Sequence, residues 1–485
     1  MSMTDQDAPN HGAAASAPPA ELIAKLRAEM RGAVITPADR GYEEGRKIWN
    51  AMFDPACPAA LLRCADEEDV AMAVRALAPT DTLIAVRGGG HHIAGYGTCD
   101  GGVVIDLGDL RDVQLAEEGS RALVGGGATL HEVDTATDPY RRSVPVGVVS
   151  ETGIAGLTLS GGMGWLSRLY GYSCDNLLAA RVVTADGEIV RVDEERDADL
   201  LWALRGGGGN FGVVTEFEFR TYPVDVVQVG EAYHLVKDAE EIEDLLRFYR
   251  DWTAELPRAA TAWIGIEVVA DDNGDLPGRG GQVVVGLLAA VVDASEEDGA
   301  RILAPMLGQG SPTVSRQTPM RMLDLQHIQD DSRAAAKGLR DYMKGEMLVE
   351  ITDAAIADIA ARGMDLPSAA SLFEMGTVGG AISDRGEMDA AVGLRNARYM
   401  GGYALMAETE EQVEPGIEWV RAAWRALLDG SAGGTYLNFS GDESSSRVLD
   451  SLGGDDAKRR RLRELKRRHD PRNVFRVNHN IDPAA

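Results

Sequence analysis

Residues 205–220 read RGGGGNFGVVTEFEFR, and the second half of the stretch decides what the first half can be. Gly207-x-Gly209-x-x-Gly212 has the spacing of a dinucleotide-binding turn, in which glycines let the backbone approach a pyrophosphate at the start of a helix. The continuation is not helical. VVTEFEFR alternates apolar and polar side chains, the period of a strand. A glycine turn that opens a strand is not part of a doubly wound βαβ unit, so a dinucleotide bound here needs another architecture.

The surrounding texture agrees. Upstream, LIAVR, GVVIDL, RALVGGG and RVVTADGEIVRV are short apolar runs set off by turn residues, with helical patterns at ELIAKLRAEMRG and at 66–77, DEEDVAMAVRAL. From about 226 the runs lengthen: VQVGEAYHLV, TAWIGIEVV, GQVVVGLLAAVV, SLFEMGTVGGAI and ARYMGGYALMAE alternate with helical patterns near 238–255, 293–306, 352–363 and 412–429. This predicts an α+β protein whose second part is an antiparallel sheet with helices on one face. At 434 the style of the first part returns.

Charge and cysteine content narrow the class. Forty-eight Lys+Arg against 77 Asp+Glu give a net charge of −29, which repels nucleic acid and anionic membranes. The basic run KRRRLRELKRR at 458–468 has the spacing of a solvated helix face. Four cysteines at 57, 64, 99 and 174 form no CxxC pair and no metal-like spacing, so neither a metal nor a disulfide framework is expected. Residues 1–20 lack a basic start and an export-length apolar run and read as a disordered leader; no stretch has the length of a membrane span. The expected setting is the cytoplasm.

Glycines also concentrate at RGGGHH (87–92), GIAGLTLSGGMG (153–164) and before TYLNF (433–434). Turns of this kind build concave nests of backbone N–H groups that suit a pyrophosphate, although each alone is equally a tight turn. An imidazole placed directly after a triple-glycine loop sits beside whatever that loop approaches. There is no GxxxxGK[ST], no GxSxG and no HExxH, which removes nucleotide hydrolysis, serine-elbow and zincin chemistry.

VRGGGHHIAGYGTCDGGVVIDL, GVVSETGIAGLTLSGGMGWLSRLYGYSCDNLLAARVVTADGEIV, LWALRGGGGNFGVVTEFEFR and TYLNF with DPRNVFRVNHNI together resemble the FAD-linked oxidases of the vanillyl-alcohol-oxidase superfamily. Within it they are similar to the berberine bridge enzyme-like, 6-hydroxy-D-nicotine oxidase-like branch, over about residues 40–482. The resemblance implies a PCMH-type FAD-binding domain at 33–225, completed by a C-terminal segment at 433–485, with a substrate domain at 226–432. It implies covalent FAD through one histidine, His91, with His92 as its neighbour. Arg87, Gly88, Gly89, Gly90, Gly147, Thr152, Gly153, Gly156, Gly161 and Gly162 are implied around the pyrophosphate. Asn210, Gly212 and Val213 are implied on the adenine side, and Asn438 and Asn478 near the flavin.

Departures from the family pattern sharpen this. Members with two covalent links carry a cysteine where this chain has Val149, so a single link is expected; Cys174 lies well beyond that position. Thr152 stands where the family places the residue governing oxygen access, and its modest size favours an oxidase. Phe439 replaces a second tyrosine in TYLNF, which leaves any proton-abstracting role of that tyrosine unfilled. The implied reaction is hydride transfer from a secondary alcohol or amine carbon of a sugar, alkaloid or aromatic metabolite to FAD, with O2 reduced to H2O2. The rivals are a dehydrogenase with another acceptor and a non-catalytic flavin- or metabolite-binding protein. Tyr436 is the first candidate for a polar group over the flavin. Glu374, Tyr399 and Tyr403 come next, because alternate side chains of their strands face one side.

Overall fold

The computed structural model describes residues 16–271 and 273–484, so most of the expected leader lies outside the described residues. The first sheet contains β1 (Ala33–Ile35), β2 (Ala60–Arg63), β3 (Ile84–Arg87) and β4 (Val103–Asp106), ordered β1-β2-β4-β3. Its last three strands run parallel and β1 is antiparallel. The helix Glu67–Leu77 starts where Asp66 accepts the N–H groups of Glu68 and Asp69, a cap of about 1 kcal/mol.

The second sheet is antiparallel. It contains β5 (Val113–Ala116) and β6 (Arg121–Gly125) and, after a short β7 (Arg142–Ser143), β8 (Leu177–Val183), β9 (Ile189–Asp193) and β10 (Val213–Arg220). Their order is β5-β6-β10-β8-β9, and β7 pairs instead with β11 (Tyr222–Pro223). β10 is the strand opened by the glycine turn, and it lies in the middle of its sheet with Phe217 and Phe219 fully buried.

Seven strands form the third sheet: β12 (Val226–Leu235), β13 (Ala260–Val268), β14 (Val283–Val291), β15 (Val314–Arg321), β16 (Arg340–Leu348), β17 (Leu372–Thr377) and β18 (Tyr399–Ala407). They pair antiparallel throughout in the order β15-β12-β14-β13-β17-β18-β16. One face is covered by the helices Ala239–Ala254, Glu296–Leu307, Asp353–Gly363 and Val413–Trp424. Leu246, Leu303, Ile356 and Val420 from these helices share an apolar cluster with Ile264, Leu287, Phe373 and Leu405 from the sheet. Each such side chain contributes about 1.5–3 kcal/mol by leaving water. The opposite face looks toward the first two sheets.

The C-terminal segment returns along the edge of β16: Met347 donates its N–H to the Gly434 carbonyl (3.0 Å), and Gly441 donates to Met343 (3.1 Å). Leu437, Leu462, Leu465 and Ile481 then join the apolar cluster of the second sheet. The basic helix Asp456–His469 is less solvated than its sequence implies. Lys458 and Lys466 are buried, and the Lys466 ammonium donates to the carbonyls of Asn210 and Phe475 (both 2.9 Å) and to Asp470 (2.8 Å). Arg461 lies over the Trp202 ring at 4.0 Å. No helix among the described residues is long and apolar enough to cross a membrane.

One buried amide joins the halves. Asn50, fully buried, donates through Nδ2 to the carbonyls of Ile93 (2.8 Å) and Asp341 (2.6 Å) and accepts at Oδ1 from the N–H groups of Asp341 (2.9 Å) and Met52 (3.0 Å). All four hydrogen-bonding positions of the side chain are used. Asn50→Ala strands backbone groups of both β16 and the histidine loop, and is expected to lower unfolding free energy by roughly 2–3 kcal/mol; urea denaturation monitored by far-UV circular dichroism measures the loss.

Candidate active site

A cavity of about 250 Å³ lies where the three sheets and the tail meet. Its walls include the glycine loops at 88–90, 147–156 and 207–212 on one side, and Trp263, Asp341, Met343, Glu374, Ala404 and Met406 of the seven-stranded sheet on the other. Tyr436, Asn438, Asn478 and His479 of the tail close it.

The triple glycine has a cause visible in the backbone. A Cβ on Gly89 would lie 2.5 Å from the Gly153 nitrogen, one on Gly153 would lie 2.4 Å from the Gly89 nitrogen, and one on Gly88 would lie 2.9 Å from the Gly126 carbonyl. Two loops therefore touch main chain to main chain, which only glycine permits. Gly156 differs: a Cβ there would meet nothing within 4 Å, so its face opens on the cavity.

Several expected site residues serve other ends. The Arg87 side chain borders the cavity, but its guanidinium is committed to Asp106 (2.7 Å) and to the carbonyls of Gly45 (2.7 Å) and Lys47 (3.3 Å), where it braces the loop. Asn210 does not reach the cavity; it is buried, donating to the carbonyls of Gly207 (2.9 Å) and His479 (3.1 Å) and accepting from Ile481 N–H (2.9 Å). Gly161 and Gly162 also lie off the cavity wall, with φ of 113° and 84°. Their turn packs beside the buried Tyr436 ring, which lies 3.6 Å from where a Cβ on Gly161 would stand. Tyr399 and Tyr403 point away as well. Tyr403 pairs with Phe373 across β17 and β18, and both belong to the helix-side core; the Tyr399 hydroxyl meets Thr253 at 3.1 Å. Glu374 has the opposite parity to Phe373 and faces the cavity, as do Ala404 and Met406.

His91, His92, Gly147, Thr152, Gly212, Val213, Tyr436, Asn438 and Asn478 line the cavity. The His91 ring stacks on Trp49 at 4.1 Å between centroids. His92 accepts the Ala94 N–H at Nδ1 (3.0 Å), which fixes the proton on its other ring nitrogen. The Tyr436 oxygen receives the Asn438 amide (3.0 Å). Burial pushes the phenol pKa up, and the Asn438 amide opposes that shift.

Trp49, Trp263 and Asp341 lie outside every quoted motif, and Tyr96 and His479 lie inside two of them without being singled out, yet all five border the cavity. His479 Nε2 lies 3.1 Å from the Leu437 carbonyl, so that nitrogen carries the hydrogen and Nδ1 accepts from the Tyr96 hydroxyl at 3.4 Å. Burial pushes its pKa down to about 4.

The cavity is thus walled by glycine backbone on one side and by a sheet bearing carboxylate and aromatic groups on the other. A family model described as FAD binding domain matches residues 58–193, and one described as berberine and berberine-like matches 457–482. The chain is 30% identical to (R)-6-hydroxynicotine oxidase of Paenarthrobacter nicotinovorans, over 94% of this chain and 98% of that protein. The crystal structure of 6-hydroxy-D-nicotine oxidase from Arthrobacter nicotinovorans superposes with a TM-score of 0.82 at 25% identity, covering 94% of this chain and 98% of that one. The fold is shared too by glucooligosaccharide oxidase from Acremonium strictum, described as carrying a 6-S-cysteinyl, 8α-N1-histidyl FAD, at TM-score 0.81 and 22% identity over 95% and 99% of the two chains. The chain belongs to the berberine bridge enzyme-like family of FAD-linked oxidoreductases. It is an FAD-dependent oxidoreductase.

The residues present fit that cofactor: Gly156 leaves open room, and the buried Oδ1 of Asn478 has no hydrogen-bond partner within the protein.

The buried neutral His479 gives a pH signature. Its folded pKa lies below the unfolded value, so its contribution is intact above about 6.5 and is lost as pH falls toward about 4, where the unfolded chain takes up the proton first. His479→Gln is expected to flatten the stability profile across this window by on the order of 3 kcal/mol relative to the parent, read from urea unfolding at a series of pH values.

Proposed function

We propose that this enzyme oxidises a secondary alcohol or amine carbon of a small metabolite, with FAD tethered covalently to His91 and reoxidised by O2 to give H2O2. The observation that carries the reading is the convergence of His91, Thr152, Glu374, Tyr436 and Asn438, drawn from three parts of the chain, on one cavity. FAD supplies the hydride acceptor and the route of electrons to oxygen.

The chain's own residues divide the remaining work. The glycines 88–90, 153 and 156 offer backbone without side chains to the pyrophosphate, Gly212 and Val213 border the adenine end, and Asn438 and Asn478 lie near the flavin. His91 rather than His92 is the tether by its place after Arg87 in the family's R-[SG]-G-G-H pattern, and its ring, stacked on Trp49, lines the cavity. Val149 lines the cavity and has no thiol, which supports a single link. Tyr436 is the first candidate for a polar group over the flavin: its oxygen is held by the Asn438 amide and burial keeps its proton on, so it orients the substrate hydroxyl or amine as a hydrogen-bond donor. Glu374 is the second polar contact, from the sheet. Thr152 on the cavity wall favours O2 over a bulkier acceptor.

The domain division that goes with this reading is 33–225 plus 433–485 for FAD and 226–432 for substrate; the tail residues packed into the second sheet's core support it. Four cysteines, all free thiols, fit a cytoplasmic setting.

Acid precipitation of the purified protein tests the tether. Yellow colour is expected in the pellet, and His91→Ala is expected to move it to the supernatant while His92→Ala leaves it bound; covalent colour that survives His91→Ala overturns the assignment. Peroxide formation matched to oxygen uptake with alcohol and amine panels tests the acceptor.

A further inference from the structure

The seam between the FAD-binding half and the substrate half holds a buried carboxyl that the oxidase reading leaves unused. Helix Leu130–Thr137 of the first half lies against Arg321 and the helix Met322–Gln326 of the second. His131, Asp134 and Asp138 recur at the spacing of one helix face, and each meets a partner across the seam. Nδ1 of His131 lies 3.0 Å from Nε2 of His327, Asp134 accepts from the Gln326 amide at 3.0 Å, and Asp138 pairs with Arg321 at 2.6 Å. The outer two contacts reach solvent. The middle one does not: Asp134 is 3% exposed and Gln326 is fully buried.

The middle pair also holds a wall of the cavity. The Gln326 amide donates its second N–H to the Gly147 carbonyl at 2.9 Å, and the Gln326 carbonyl accepts from the Ser150 hydroxyl at 3.3 Å. The first N–H groups of helix Leu130–Thr137 reach the same loop, Leu130 donating to Thr152 (2.9 Å) and His131 to Ser150 (3.0 Å). Gly147, Val148, Val149 and Thr152 of this loop line the cavity. With its nitrogen set between two acceptors, the amide has one orientation, because the reverse would put Oε1 against both. Two oxygens are then left over. Asp134 Oδ1 and Gln326 Oε1 are buried and have no hydrogen-bond partner among the described residues. A carboxylate brings only acceptors to such a pair, whereas a carboxylic acid brings the missing O–H donor.

We propose that Asp134 is a positioning residue: it carries a proton that Oδ1 donates to Gln326 Oε1, and the gain or loss of that proton tightens or releases the loop bearing Thr152. Protonated, the carboxyl and the amide close a pair of hydrogen bonds, and the other amide N–H stays on Gly147. Ionised, with its proton given to bulk water, the carboxylate leaves both oxygens without a donor; Gln326 turns, and the Gly147 carbonyl loses its partner. Burial pushes the Asp134 pKa up to about 7, opposed by the Gln326 amide and aided by the Asp138 charge, so the loop is held below that pH and released above it. The other charged groups at the seam are engaged or turned away. Glu132 is held by Thr129 and Arg111, Glu151 by Lys337, and Arg142 of β7 by Thr221; Asp324 is exposed, and β5 carries no charge. The inference rests on the oxidase reading only for what Thr152 does to oxygen.

The test is amide hydrogen exchange of the 147–152 loop in the flavin-containing protein, corrected for the intrinsic pH dependence of exchange. Between about pH 6 and about pH 8, on either side of the Asp134 transition, exchange of the loop is expected to quicken about fivefold in the parent. Asp134→Asn keeps a donor and an acceptor toward Gln326 but has no proton to lose, and is expected to hold the slow rate at both pH values. Gln326→Met removes both ends of the amide and is expected to exchange fast at both, which serves if the asparagine variant does not fold. His131→Gln is expected to keep the parent's step, since the histidine pair is not its source. A step that survives in Asp134→Asn or Gln326→Met, vanishes in His131→Gln, or is missing from the parent overturns the assignment. Oxygen is tested with chemically reduced flavin: the reoxidation rates of Asp134→Asn and the parent are expected to agree at about pH 6 and to differ about threefold at about pH 8. Rates that agree at both pH values, with the exchange step intact, overturn the link to oxygen alone. A reduced flavin that O2 does not reoxidise defeats the oxidase reading, and the exchange result then decides the role of Asp134 by itself.

Discussion

The contact on which this structure turns is the meeting of two main chains at Gly89 and Gly153. With no side chain on either, the loop that carries His91 and His92 lies against the loop that carries Thr152, and the two present one continuous backbone surface to the cavity. A single methyl group on either residue would fall within 2.5 Å of the opposing nitrogen. Glycine here is a packing requirement first, and the open backbone it leaves beside Gly156 is what a cofactor can use. The two roles are one geometry: loops close enough to touch each other are also close enough to cradle a flat ligand from the same side.

That surface would be half a site without the third sheet. Asn50 closes the gap by bonding the histidine loop and β16 through one fully satisfied amide, and the tail closes it again by running along the exposed edge of β16 and delivering Tyr436 and Asn438. An edge strand left open is a template for pairing with other chains; here the edge is covered by the segment that supplies the polar groups. Lys466 fastens the same tail to the glycine turn at Asn210 from within the core. The site is thus assembled from residues some 390 positions apart, from Trp49 to Asn438 and beyond, and no local segment contains it.

This assembly sets the limit on what sequence can reveal. Strands β12, β13, β14, β17 and β18 announce themselves by long apolar runs, and the helices by periodicity and caps such as Asp238 and Thr352. The edge strands do not. β15, VSRQTPMR, is polar and contains proline, as an edge allows, and β16, RDYMKGEML, carries Lys344 and Glu346 into a buried ion network with Glu443 and Arg447. The FAD loops are legible because their glycines are dictated by backbone geometry that local sequence records. The facing of Tyr399 and Tyr403 is not: every residue of β18 is buried, so no polar alternation marks which parity meets the helices. Trp49 and His479 reach the cavity only through tertiary packing. Lys458 and Lys466 look like solvent-facing charges in sequence, because nothing local shows the carbonyls waiting for them.

Tyr436 shows how the parts bear on chemistry. Burial favours the neutral phenol, and with its pKa raised the oxygen holds its proton in the free protein. The Asn438 amide acts against this by offering a charge-stabilising hydrogen bond to the same oxygen. Gly161 and Gly162 adopt left-handed backbone beside the ring, and a Cβ on Gly161 would stand 3.6 Å from it, so the turn that the sequence marks by its glycines packs against the phenol. A buried phenol that keeps its proton presents itself to the cavity as a hydrogen-bond donor.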